Sequence, residues 1–212
     1  MKTPFTQDQF FGVFEHYNQT IFPGQLIILL LGLAALVFLH SRIPLKNKIL
    51  GVILSLLWIW TGLVYHIAFF SGINSIAKVF GGIFILQGLV ILSEMYRTRL
   101  EFVFNPDIKS YLGYFFILFG LLIYPAISFF MEGSFIRTIS LGLPCPTTIF
   151  TLGFFMFTGA SFKRYLLIIP TLWAIVGISA AMHFGVYQDL MILVAALAAL
   201  FFSSKLSKNN KL

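Results

Sequence analysis

Apolar residues in this chain come in seven long runs, separated by short polar segments that carry most of the charge. The runs are 21–40, 49–70, 77–96, 111–131, 144–160, 165–184 and 187–204. Helical segments of about 17–25 residues cross the hydrocarbon core of a bilayer. Backbone groups in lipid must be satisfied within the protein, so each run is expected to wind as a helix. The pattern predicts an all-α polytopic membrane protein, a bundle of seven transmembrane helices forming a single domain over 21–204. The fifth and seventh runs are the shortest, and the count needs an independent check.

Residues 1–20 predict a separate short helix. Thr6 as N-cap, with Gln9 three residues later, makes a capping box, and Phe5 with Phe10 makes a hydrophobic staple. Phe10, Phe14 and Tyr17 share one face, with Phe11 and Val13 nearby. The expectation is a helix lying in the outer interface as an anchor, with a lid as the alternative. The first long apolar run begins late and can span, so no cleavable signal peptide is expected. Residues 205–212 form a basic tail.

Charge supplies the check on the count. With seven spans and the N-terminus outside, only Lys2, Lys78 and Arg137 of the 14 basic residues fall in outer segments. Arg42, Lys46, Lys48, Arg97, Arg99, Lys109, Lys163, Arg164, Lys205, Lys208 and Lys211 then face the cytoplasm, as the positive-inside rule requires. The expected location is the plasma or bacterial inner membrane, N-terminus outside and C-terminus cytoplasmic. Composition agrees: 59% of residues are hydrophobic and 10% charged, against about 25% charged in soluble domains. The net charge of +7 is explained by basic residues beside anionic head groups. Expected partners are the lipid bilayer and a small-molecule or ion ligand. Nucleic acid is not expected, because no loop is long enough to build a basic face. The one cysteine cannot form an internal disulfide, and no CxxC or His-rich tract points to a structural metal. The sequence names no cofactor.

A faint repeat links the first three spans with the last three. Pro23 and Leu31-Gly32 match Pro144 and Leu152-Gly153. Leu57-Trp58 with Gly62 matches Leu172-Trp173 with Gly177, and Asn74 matches Asp189. The order is 3+1+3, a parallel repeat about an axis along the membrane normal, with a pocket expected between the triplets.

Depth then sorts the polar residues. Trp60 and Thr61 fall near mid-membrane. Tyr65, His66, Asn74, Cys145, Thr147, Thr148, His183 and Asp189 fall in the outer half. These ten residues are the candidate lining of a polar pocket opening away from the cytoplasm. Ionisable groups inside a membrane are functional candidates by default. Pro144-Cys145-Pro146 reads two ways. A half-helix N-terminus can present N–H groups to a polar ligand, with Cys145 as a reactive thiol or soft-metal ligand. Equally, Pro146 can simply open a helix while Cys145 packs as a small hydrophobe. His66 and His183 share a similar depth and join Cys145 as candidate metal ligands. Asp189 reads as a first-turn acid favoured by the helix dipole or as a ligand for a coupling ion. Glu94 is expected to snorkel with Arg97, and Gln87 to bond a neighbouring helix.

Absences narrow the chemistry. The last span contains no lysine for a retinal Schiff base, and no GxSxG, HExxH or phosphate loop is present. The leading expectation is a small permease- or transporter-like protein. The alternatives are a ligand- or metal-binding sensor or accessory protein, and a membrane enzyme centred on Cys145 or His66.

The chain resembles an uncharacterised bacterial family of small multi-pass membrane proteins, a domain of unknown function. The resemblance runs through Phe5-Thr6-Gln7-Asp8-Gln9-Phe10-Phe11, Tyr17-Asn18, Trp60-Thr61-Gly62 with Tyr65-His66, Phe69-Phe70 and Ile73-Asn74. It continues in Pro144-Cys145-Pro146-Thr147-Thr148-Ile149-Phe150-Thr151-Leu152-Gly153 and in Gly177 with Ser179-Ala180-Ala181. Some members are loosely labelled permeases, which is what the resemblance implies about function. The 3+1+3 order is also similar, in topology only, to the small sugar transporters called SWEETs.

Overall fold

The computed structural model describes residues 5–97, 100–159 and 162–209, without the side chains of Ala180 and 205–209. Lys2, Arg99 and Lys211, which enter the orientation argument, lie outside the described residues, as do the side chains of Lys205 and Lys208. The described residues are helical with no strand.

The helices are α1 (Gln7–Ile21), α2 (Gly24–His40), α3 (Lys46–Trp60), α4 (Ala77–Arg97), α5 (Ile108–Leu118), α6 (Tyr124–Glu132), α7 (Pro144–Phe155), α8 (Ile168–Phe184) and α9 (Leu190–Asn209). A π-helical stretch, Thr61–Phe69, continues α3, and a shorter one, Phe119–Ile123, joins α5 to α6. The second has a visible cause. Pro125 lacks an N–H and its ring displaces the carbonyl one turn back, which a widened turn accommodates.

Among the described residues, five segments are long and apolar enough to cross a membrane: Lys46–Gly72, Ala77–Arg97, Ile108–Glu132, Arg164–Phe184 and Tyr187–Ser204. A sixth results if α1 and α2, which meet at 89°, count as one broken span. The chain is thus a membrane protein with five or six such helices by length and composition. The two runs that fall short do so for different reasons. α2 holds 17 residues on its own. α7 holds 12, and every one except Cys145 is buried by protein.

α7 is short because it needs no lipid-facing length. Backbone outside regular helix is tolerated at membrane depth where protein surrounds it, and here both flanks of α7 are held. Gly142, at φ +93°, has its N–H bound by Thr147 Oγ1 at 3.0 Å and its carbonyl bound by Thr61 Oγ1 at 3.0 Å. At the other end Val103 N donates to Phe157 O at 2.7 Å, and Lys109 Nζ donates to Thr158 O. α5 and the π-helical stretch that follows it lie against α7 backbone to backbone. A Cβ on Gly120 would sit 2.7 Å from Pro146 O, and one on Gly153 would sit 2.8 Å from Gly113 O. Small residues at such crossings let helices approach closely.

α1 is not turned toward lipid. Its Thr6 capping box forms, with Thr6 Oγ1 accepting from Gln9 N at 3.2 Å and Thr6 N donating to Gln9 Oε1 at 2.8 Å. Its apolar face, Phe10, Phe11, Val13, Phe14 and Tyr17, is buried against the bundle. Asn18 Nδ2 donates to Ile136 O and Thr138 O, each at 2.9 Å, and Glu15 pairs with Arg137 at 2.9 Å. The aromatic stripe read as an anchor is therefore the underside of a roof. Sequence periodicity gives the face of a helix but not what covers it.

Beneath the roof the centre is buried and aromatic. Trp58 donates to Thr151 Oγ1 at 2.9 Å, and Gln87 donates to Leu166 O at 2.9 Å between neighbouring helices. Phe84, Phe150 and Phe154 are fully buried around them. The two triplets matched as a repeat sit differently: α2 exposes Leu26, Ile27, Leu30 and Val37, whereas α7 is enclosed.

Candidate functional site

Directly under α1 lies a cavity of about 260 Å³. Phe10 and Phe14 of α1, with Phe5 just before its N-cap, form its roof. Phe10 stacks on Phe184 at 4.4 Å between centroids, and Phe14 stacks on Tyr65 at 5.6 Å. The walls come from the π-helical stretch, α4, α6, α7, α8 and the turn before α9.

The π-helical stretch places Tyr65 and His66 together at the wall, and both are buried. His66 rests against Phe84 at 4.8 Å and meets Trp173 edge-on at 5.2 Å. Neither imidazole nitrogen has a hydrogen-bond partner in the protein. An unpaired buried polar atom costs about 1–3 kcal/mol. It is therefore unusual in a settled core.

Opposite stands a polar cluster drawn from four elements. Tyr124, the first residue of α6, donates its hydroxyl to Asp189 Oδ1. Cys145, the second residue of α7, lies within hydrogen-bonding reach of Asp189, Tyr124 and Trp173. Trp173 Nε1 is buried there without a hydrogen-bond partner. Asp189 is 2% exposed and sits in the turn Tyr187–Asp189 that leads into α9.

Of the ten sequence candidates, Tyr65, His66, Asn74, Cys145 and Asp189 line this cavity. The other five are held elsewhere. Trp60 Nε1 donates to Tyr17 Oη at 2.8 Å, tying α3 to the roof. Thr61 and Thr147 bracket Gly142, and Thr148 Oγ1 donates to Pro144 O at 2.8 Å. His183 is exposed, with Nδ1 2.8 Å from Ser179 O on its own helix. The hydroxyls after Pro144-Cys145-Pro146 thus fasten the opening of α7, and only the thiol reaches the cavity. Among the described residues no three His, Cys, Asp or Glu side chains are grouped to hold a metal ion.

Sequence reading left out Tyr124, Trp173 and the roof phenylalanines. Tyr124 carried a signal, since it precedes Pro125 and the π widening turns it inward. Trp173 stood out only as the repeat partner of Trp58, which packs in the buried centre. Glu94 is buried and hydrogen-bonds Tyr165.

A family model described as a family of unknown function (DUF6064) matches residues 7–211. The chain belongs to this family. No curated protein and no solved structure matches it. Within this DUF6064 chain the match takes in the roof helix as well as the bundle, so cavity and cover lie in one family unit.

A second cavity of about 300 Å³ lies beside the first, between α1, the end of α6 and the α8–α9 turn. Phe184 lines both. Gln7 Nε2 donates to Phe184 O at 3.3 Å at this boundary, and Gln188 Oε1 is buried there without a partner.

Proposed function

We propose that this protein binds a small, largely apolar molecule with a hydrogen-bonding head group in the cavity under α1. The observation that carries the reading is His66, buried at the wall of a 260 Å³ space with both nitrogens unpaired. Its donor and acceptor would be satisfied by a ligand, and the aromatic walls would bury the rest of the molecule. The space exceeds the roughly 150 Å³ apolar cavity that holds benzene.

The proposed topology has seven crossings in the plasma or inner membrane, N-terminus outside and C-terminus cytoplasmic, with the cavity in the outer half. Supporting this orientation, α1 lies at the bundle end opposite Lys48, Lys109 and Arg164. Lys48 lies over Tyr96 at 5.9 Å, and Arg164 donates to Ser203 O at 3.0 Å. Ligand then arrives from outside through the second cavity and past the Phe10–Phe184 stack.

Permease-like transport is the second reading, favoured by the two π-helical stretches. Such segments concentrate at functional sites and can rewind. Thr61–Phe69 supplies Tyr65 and His66, and Phe119–Ile123 leads directly into Tyr124. Transport would need a route inward past Trp58, Phe84 and Gln87, which are packed closed. A sensor or accessory role needs no such route.

The test is a thermal-unfolding screen of purified protein against small amphiphiles. A ligand at 100 times its Kd adds about 2.7 kcal/mol of apparent stability. The expected result is a hit that stabilises wild type and not His66→Phe. A hit that stabilises both alike, or no hit at all, would overturn the binding reading.

A further inference from the structure

We propose that the ligand is an organic ammonium ion, recognised by Asp189 inside the aromatic walls of the cavity; this rests on the binding reading above. Among the described residues, Asp189 is the only acidic one lining the cavity, and no lysine or arginine lines it. Among the described residues the recorded ion pair is Arg137–Glu15, at the other side of α1. The Asp189 carboxyl is met by the Tyr124 hydroxyl and the Cys145 thiol, both neutral donors. A carboxylate removed from water without a countercharge is costly, and such groups in membranes pair with one another or mark an ion or substrate site. No countercharge stands in the cavity among the described residues, and what enters supplies it.

The walls suit the same ion. Phe14, Tyr65 and Phe70 form a stacked series beside the cavity, with Phe14–Tyr65 at 5.6 Å and Tyr65–Phe70 at 5.6 Å. Trp173 stands across from them. Aromatic faces attract ammonium groups, most strongly where water is excluded, and aromatic cages recognise quaternary and primary ammonium ligands. An anion would face Asp189 with no basic partner. A neutral molecule would satisfy His66 but leave the carboxylate uncompensated. An ammonium bearing an N–H can donate to the unprotonated nitrogen of His66 while its charge faces Asp189.

The test compares isosteric probes on the full-length purified protein by isothermal titration: benzylamine at neutral pH, benzyl alcohol and benzoate. Benzylammonium is expected to bind wild type about tenfold or more tightly than benzyl alcohol, with benzoate weakest. In Asp189→Asn the preference for benzylammonium should vanish while benzyl alcohol still binds. If wild type binds benzyl alcohol as well as or better than benzylammonium, the ammonium assignment is overturned and the binding reading stands. If none of the three binds, both fall. The wild-type comparison does not depend on any variant folding.

Discussion

Replacing His66 by Phe should make the protein more stable and remove its function. The imidazole is fully buried, and neither nitrogen has a protein partner. A neutral imidazole carries one donor and one acceptor. Leaving such groups unsatisfied costs about 1–3 kcal/mol, and exchange for an apolar ring returns that sum. The neighbours favour the exchange, since Phe70, Phe80, Phe84 and Trp173 already surround the ring. The 260 Å³ cavity adjoins the ring. For a chain of this size about 1 kcal/mol corresponds to roughly 2–4 °C in Tm, so the expected rise is about 2–12 °C. The assay is thermal unfolding of ligand-free wild type and variant in the same detergent. A variant destabilised by about 1 kcal/mol or more would refute the reasoning, because it would mean that the imidazole makes bonds on which the fold depends. Natural proteins keep such costly groups at working sites.

Gly120→Val should lower Tm strongly, since even its Cβ would stand 2.7 Å from Pro146 O and 3.0 Å from Phe150 N. Overpacking of this kind costs about 1–3 kcal/mol or more, and an unchanged Tm would deny the backbone contact between the Phe119–Ile123 stretch and α7. Trp58→Phe removes the bond to Thr151 Oγ1 in the buried centre and should cost about 1–3 kcal/mol in a denaturation series. Asn18→Ala removes two bonds that hold α1 to the 136–138 turn. It should loosen the roof and speed modification of Cys145 by about tenfold, the equivalent of about 1.4 kcal/mol, read by intact mass against time.

The membrane class was legible in the sequence because apolar run length is set by bilayer thickness, a local property. The Thr6 capping box and the Phe5–Phe10 staple were legible for the same reason, every partner lying within one turn or so. What α1 covers was not, because Asn18 meets Ile136 and Thr138 through contacts more than a hundred residues away in the chain. The run at 144–160 looked like an ordinary span, since composition does not distinguish a helix enclosed by protein from one facing lipid. Depth alone put Cys145, His66 and Asp189 in one layer, and the structure brings them to one cavity. It also placed Thr147, Thr148 and His183 there, whose polar atoms turn to local backbone instead. Rotation about the helix axis separates these two groups. In spans apolar all round, periodicity carries little information about that rotation.

The central claim is that the space under α1 is a ligand cavity, and Cys145 reports on it directly because it is the chain's only thiol. The decisive measurement is the rate at which methyl methanethiosulfonate modifies folded wild-type protein, with and without a ligand that raises its Tm. The account predicts one modification per chain, slowed about tenfold when the cavity is filled, a change equivalent to about 1.4 kcal/mol. A thiol inert until the protein unfolds, or a rate indifferent to every stabilising ligand, would contradict it.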